Sequence, residues 1–592
     1  MSEWINKHVI FLEWVQHRLN ERQFLILASI LVGLTAGLAA VLLKTLVHLI
    51  YTTVTQDFAL PFQISIYLFL PFFGLLISVL YIRKFHKESF EKGTAYVLYA
   101  ITRKSSFMAP FHMVAHIITS AITIGFGGSS GLEAPIATTG SAIGSNFART
   151  YRLNYRQRTL LLSCGASAGI AAAFNAPIAG VLFALEVLLL DISATAFIPL
   201  IISAATGALC SNIILNESIL LSFKTQVPFN FHNMPYYLGL GIFAGLLSIY
   251  YTKTFLSVDS WIGSRKNPFS KIFIGGGILA VLILLFPPLF GEGYSSVIAL
   301  SEANTSALIK TSLISDFLTN DWQILFFIGA IMLIKAVAVS ATISSGGNGG
   351  NFAPSLMVGA FLGFFFSRFV NLSGIGKIPE SNFTLVAMAG VMSGVLHSPL
   401  TAIFLIAEIT GGYGLMIPLM LVASISYSVT KVLGPETIES RKLAEKGASL
   451  IHDRDKKILS DLSLTNLIET NFQPVKETES LRTLVDVIEK TTRNVFPILT
   501  ADEKLAGVIE LNSIRDIMFN TELYDKVSVK ELMRKPPAII ELNESMDEVM
   551  KKFDKTGTWN LPVTQEGKYL GFISKSSIFS KYRSQLIEKS VH

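Results

Sequence analysis

Hydrophobic runs dominate the first three quarters of the chain. Phe24 to Leu43 is twenty residues without a charge, and Pro61 to Ile82, Ile272 to Gly291 and Pro399 to Val432 are similar. About twenty apolar residues cross a hydrocarbon layer of roughly 30 Å. Backbone amides cannot go unpaired there, so these runs are predicted to be spanning helices. Two stretches interrupt the pattern. "GFGGSSG" (Gly125 to Gly131) and "SSGGNGG" (Ser344 to Gly350) are too glycine-rich for a continuous helix. Each leads into x-x-Ala-Pro and a new apolar run, and proline fits the first turn of a helix. Each is therefore expected to be a loop that starts a helix at membrane depth. After about Glu436 the chain turns polar, and short β-rich runs alternate with helical ones.

The interruptions belong to a repeat. "GLEAP" (Gly131 to Pro135) matches "GNFAP" (Gly350 to Pro354), and "FNAPIAGVLFALE" (Phe174 to Glu186) matches "LHSPLTAIFLIAE" (Leu396 to Glu408). The offsets are 219 and 222 residues, so two homologous halves are inferred, about 24–215 and 234–435. Duplicated membrane halves are common in transporters, whose sites lie near the midplane where helices break.

Composition agrees with a membrane domain followed by a soluble one. Of 592 residues 51% are hydrophobic and 15% charged, and mean hydropathy is +0.52. Soluble domains are closer to one quarter charged. The N-terminal 1–22 segment reads as an amphipathic helix without a signal-peptide cleavage site. Its Lys and Arg, with Arg83, Lys84 and Lys87, place the N-terminus in the cytoplasm. Positive loops account for the net charge of +6, and no basic, aromatic-interleaved patch points to nucleic acid. Cys164 and Cys210 read as packing residues, with no metal-ligand spacing. No nucleophile–base arrangement supports an enzyme.

A helix start at membrane depth offers unpaired amides and a partial positive charge. That makes Gly131, Leu132 and Ala134 in the first half, and Ala353 in the second, candidate anion-binding positions. Such a site holds an anion without a full countercharge, and conduction needs an ion that can leave. Glu133 is itself an anion at a helix start. Ionised, it occupies the site a mobile anion would use; protonated or displaced, it frees it. The equivalent residue in the second half, Phe352, cannot titrate. Lys335, inside an apolar run, is expected to snorkel to one face or to join a structural ion pair, with tuning of the pathway potential as the other reading.

These motifs resemble those of the CLC family of chloride channels and proton-coupled chloride antiporters. "GGSSGLEAPIATTGSAIGS", "GASAGIAAAFNAPIAGVLFALE" and "GGNGGNFAPSLMVGAFLG" are similar to three family signatures, and the resemblance covers about residues 20 to 445. It implies an all-α polytopic membrane protein with an inverted-repeat CLC fold of broken helices. It also implies a homodimer in the bilayer with one chloride pathway per subunit. Glu133 matches the external gating glutamate, and the amides of Asn351 and Phe352 match the pair that coordinates the central anion. Three departures stand out. Lys92 falls where an anion-coordinating serine is common, either at the anion or as an ordinary positive loop residue. Val187 follows Glu186 where proton-coupled members often carry a second acid, the internal proton-transfer residue. Glu439 falls at or near the inner-gate tyrosine, where it pairs with Lys92, supplies a proton station, or is a solvated linker acid. Glu186 and Glu408 read either as relay candidates or as structural acids.

The segment 446–592 resembles an α/β CBS tandem on the cytoplasmic side, with copies at Val495 to Met518 and Asn560 to Tyr582. CBS pairs often bind adenine nucleotides. Here Ser513 and Ser577 stand where the ribose-binding Asp is usual and Ser574 fits the preceding hydroxyl, so a dimerisation module is the favoured reading. The domains expected are thus 1–22, 23–445 and 446–592. The expected activity is chloride transport that requires no cofactor, leaning to passive, channel-like conduction gated by Glu133. The alternatives are a proton-coupled antiporter and a CBS-regulated membrane sensor. The expected location is a bacterial inner membrane, with both termini cytoplasmic.

Overall fold

A computed structural model describes residues 18–55, 60–86, 90–188, 194–215, 227–302, 304–309, 312–448 and 462–591. The chain divides into two compact units, Met1–Leu450 and Ile451–His592. The amphipathic helix expected over 1–22 falls almost wholly outside the described residues.

The first unit is helical. Among the described residues, seven helices are long and apolar enough to cross a bilayer: Glu21–Thr55, Ala196–Leu215, Phe231–Gly263, Pro268–Leu285, Asp321–Ser344, Phe352–Leu372 and Met416–Glu445. Leu34, Leu38, Leu42 and Leu49 stand exposed along the first of them, an apolar face suited to lipid. Two expected spans are shorter than their apolar runs. Pro399–Val432 is two helices, Pro399–Ile409 and Met416–Leu433, parted where Gly411 takes a left-handed φ of 70°. Ile272–Gly291 belongs to a helix that stops at Leu285, ahead of Pro287 and Pro288.

The two halves repeat the same devices. Helix Glu133–Thr150 packs on Tyr155–Phe174, and Phe352–Leu372 packs on Glu380–Leu396. Both contacts are backbone to backbone. A Cβ on Gly144 would lie 1.9 Å from the Leu161 carbonyl oxygen, and one on Gly363, 219 positions later, 2.1 Å from that of Phe383. Small residues four apart permit this approach, and van der Waals packing then replaces the hydrophobic drive that lipid does not supply. The chain next turns sharply at Asn175 and His397, both left-handed (φ 53° and 55°), and restarts with Pro177 and Pro399 at the first helical position.

The second unit holds two three-stranded sheets. In each, a short strand (β1, Val475–Lys476; β4, Ile540–Glu541) pairs in parallel with the first strand of an antiparallel hairpin. The hairpins are β2–β3 (Val495–Leu499, Leu505–Glu510) and β5–β6 (Asn560–Gln565, Lys568–Ser574). Ile498 faces Gly507 in one and Val563 faces Gly571 in the other, so the two proline-to-glycine units are structural equivalents. Each sheet builds its own core, around Phe496 and Ile498 in the first and Phe553 and Val563 in the second.

Candidate functional site

The two glycine-rich turns meet. The Gly131 amide donates to the Gly350 carbonyl at 3.0 Å and the Gly350 amide returns to Gly131 at 2.8 Å. Around this pair the repeat extends beyond the motifs that revealed it. Thr342 Oγ1 accepts from the Ser129 amide at 3.0 Å, and Thr123 Oγ1 accepts from the Asn348 amide at 3.1 Å, each partner 219 positions from its counterpart. Gly127 and Gly346, also 219 apart, take φ of 90° and 106°. Such values cost an L-residue dearly and a glycine nothing. The turns leave two helix starts, at Glu133 and Phe352, with their amide-bearing ends adjacent.

Glu133 bridges the halves. Its carboxylate is buried at 3% exposure. Oε2 accepts from the Ala353 amide at 3.3 Å, at the helix start of the other half. Oε1 accepts from the Tyr294 hydroxyl at 2.7 Å. A Cβ on Gly131 would lie 2.2 Å from Oε2, so the glycine leaves room for the carboxylate. Phe352, 4% exposed, packs on Phe174 and Phe183 with ring centres 5.3 and 6.3 Å away. Asn351 Oδ1 accepts from the Tyr251 hydroxyl at 3.1 Å. The structure therefore brings Gly131, Leu132, Glu133, Ala134, Asn351, Phe352 and Ala353 to one spot.

Tyr294 went unread in the sequence. It lies in "GEGY", in the second half but ahead of the motifs that reveal the repeat. Gly291 and Gly293 (φ 68° and 93°) turn this loop over the first helix start. There the Glu292 carboxylate faces the Leu132 amide, Lys44 and Lys335. Lys335 does not snorkel. It is fully buried, and its Nζ donates to Ser129 Oγ at 2.8 Å and to the Gly291 carbonyl at 3.4 Å. An interior ammonium has to be paired or bonded, and here its bonds tie the loop to the first glycine-rich turn.

On the other side, Lys92 reaches into the second turn. Its Nζ donates to the carbonyls of Gly346 and Gly347 at 2.6 and 3.0 Å, and Lys442, Asp259 and Lys271 are the charged groups that face it. A Lys92–Glu439 pair is not what the structure holds. Glu439 faces Tyr251 and Lys442, and Lys442 bonds Asp259 at 3.2 Å.

Glu186 and Glu408 each cap the other half's helix start. Glu186 accepts from the amides of Leu400 (3.0 Å) and Thr401 (2.8 Å) and from the Thr401 hydroxyl (2.7 Å). Glu408 accepts from the amides of Ile178 (3.0 Å) and Ala179 (2.8 Å). Both carboxylates thus satisfy orphan amides. Val187, next to Glu186 in a widened turn (Ala184–Leu188), packs against the core.

In the second unit the three serines close local turns. Ser513 Oγ donates to the Glu510 carbonyl at 2.7 Å, and Ser577 Oγ to the Ser574 carbonyl at 2.9 Å. Ser574 Oγ bonds Glu469 and, at 2.9 Å, Ser576.

Residues 73–431 match the family described as voltage gated chloride channel, and residues 529–584 match the CBS domain. The chain is similar to the voltage-gated ClC-type chloride channel ClcB of Escherichia coli O9:H4 (strain HS), 31% identical over 334 residues, which are 56% of this chain and 73% of that protein. In fold it is similar to a slow cyanobacterial Cl-/H+ antiporter, with a TM-score of 0.62 at 21% identity, covering 72% of this chain and 98% of that one. It is likewise similar to a eukaryotic CLC transporter, with a TM-score of 0.60 at 17% identity, covering 93% and 97%.

Proposed function

The chain belongs to the voltage-gated chloride channel family, and from that premise we propose that it conducts chloride passively through a site gated by Glu133. The observation that carries this reading is the docked carboxylate, held by the Ala353 amide and the Tyr294 hydroxyl. Preorganised donors at a helix start bind a carboxylate or a halide by the same electrostatics. Chloride and Glu133 therefore compete, and protonating or displacing Glu133 opens the path. The amides of Ala134, Asn351 and Phe352 are read as facing the same spot; that of Gly131 is taken by the Gly350 carbonyl and that of Leu132 faces the Glu292 carboxylate. Lys92 adds positive charge at the inner side. Passive conduction is favoured because Val187 cannot carry a proton and the Glu186 carboxylate is committed to capping.

Proton-coupled exchange is the second reading. Glu439 faces the buried Tyr251 close to Asn351, and the cyanobacterial protein of similar fold is itself an antiporter. The protein is read as a homodimer in a bacterial plasma membrane, with both termini on the cytoplasmic side. The CBS pair is read as a dimerisation module, because Ser513, Ser574 and Ser577 bond within the protein.

A proteoliposome assay with a chloride gradient, a clamped voltage and a pH probe tests the proposal. The passive reading expects chloride flux that follows the voltage and no uphill proton movement. Protons driven uphill by the chloride gradient would favour exchange, and no anion flux at all would overturn both.

A further inference from the structure

Helix His112–Gly125 carries two histidines at i and i+4, on one face. His112 is 1% exposed and His116 is fully buried. His112 Nδ1 lies 3.0 Å from His116 Nε2, and His116 Nδ1 lies 3.1 Å from Asn348 Nδ2. An amide nitrogen only donates, so His116 Nδ1 is the acceptor and its proton sits on Nε2, pointing at His112 Nδ1. This hydrogen-bond order leaves both rings neutral. Asn348 Nδ2 also donates to Thr119 Oγ1 at 2.8 Å, while Asn348 Oδ1 is buried without a partner. Asn348 belongs to the second glycine-rich turn, three residues before Asn351.

A proton on His116 Nδ1 turns that acceptor into a donor facing a donor. Half a turn of the Asn348 carboxamide relieves the clash and brings the unpartnered Oδ1 onto the ring. The carboxamide then gives up its bonds to the Thr119 hydroxyl and, at 3.4 Å, to the His116 carbonyl. Asn348 is thus a two-position reader of the histidine pair, attached to the turn that starts helix Phe352–Leu372.

The surroundings decide what such a proton needs. His112 faces the Tyr96 ring at 4.5 Å, Lys104 and His86; His116 faces the Phe90 ring at 4.7 Å and Lys92. The charged groups that face the two rings are cations; the carboxylate of the same segment, Glu91, faces Tyr96 and is paired with Lys446. A buried positive charge with no countercharge is costly, and an anion in the adjacent pathway supplies one.

We propose that His112 and His116 form a proton-binding site, read by Asn348, whose occupation is linked to anion binding at the second glycine-rich turn. This rests on the reading above that the turn lines the anion pathway. Linkage is reciprocal: if an anion stabilises the proton, acidification tightens anion binding by the same factor.

The experiment uses the full chain carrying Glu133→Gln, which removes the gate's own titration. Chloride binding is measured by calorimetry from about pH 7.5 down to about pH 4, a span that covers a buried histidine as well as a free one. Tightening on acidification of about fivefold or more is expected, the lower end of typical coupling. Adding His116→Gln abolishes it. His112→Gln, at the helix terminus, serves if the His116 variant does not fold. A pH-independent affinity in Glu133→Gln, or the same tightening after the histidine substitutions, overturns the proposal. No chloride binding at any pH would instead overturn the anion-site reading itself.

Discussion

Tyr294→Phe isolates one bond of the gate. The ring keeps its place beside Phe174, 6.4 Å centre to centre, and only the hydroxyl that donates to Glu133 Oε1 at 2.7 Å is lost. A hydrogen bond to a charged group contributes about 1.5–3 kcal/mol. At 1.36 kcal/mol per factor of ten, the docked carboxylate is weakened about 10- to 150-fold against its competitor. In the proposed mechanism chloride competes for the Ala353 amide, so its apparent affinity should rise by up to that factor, less where the undocked state is already populated. Calorimetric chloride titration of purified protein reads this. The control is the same substitution in a Glu133→Ala background, where no carboxylate remains to be released and the effect should vanish. Equal tightening in both backgrounds, or none in either, would refute the argument that Tyr294 acts through the docked carboxylate.

Other expectations follow from the same contacts. Glu186→Gln loses charge-assisted caps on the Pro399–Ile409 helix. It should lower the melting temperature in detergent, at a cost of a few kcal/mol, while leaving proton movement unchanged; unchanged stability with altered proton flux would assign Glu186 to a relay. Gly144→Ala forces a Cβ towards a carbonyl oxygen 1.9 Å away. Overpacking of about 1–3 kcal/mol or more should then reduce the folded fraction on size-exclusion chromatography. Lys92→Met removes the donor to the Gly346 and Gly347 carbonyls and an inner positive charge. Chloride flux from the inner side should fall, and its dependence on ionic strength should weaken.

Much of this site was legible because repetition marks it. The offsets of 219 and 222 exposed both helix starts, and glycine before Ala-Pro located the breaks. The structure extends the same offset to Thr123 and Thr342, whose hydroxyls take the amides of the opposite turn. Chemically plain residues of this kind carry no signal until their partners are known. Tyr294 was invisible for a related reason: it meets Glu133 across 161 positions and lies outside the two pairs of matching motifs that reveal the repeat. The histidine pair did show helical spacing, but its meaning comes from Asn348, 232 residues from His116. The snorkelling reading of Lys335 fails because hydropathy registers a lysine's cost and not the Ser129 hydroxyl and Gly291 carbonyl that receive it, nor the Glu292 carboxylate that faces it. Pro399 to Val432 looked continuous because its break is one short glycine turn between two apolar helices.

Bromide, a heavier stand-in for chloride, can be located by its anomalous scattering in crystals of the Glu133→Ala protein. The account predicts a bromide peak in the space the carboxylate leaves, within hydrogen-bond reach of the Ala353 amide, and a weaker peak or none there while Glu133 is docked. A bromide beside a still-docked Glu133, or an empty pocket once the carboxylate is gone, would contradict it.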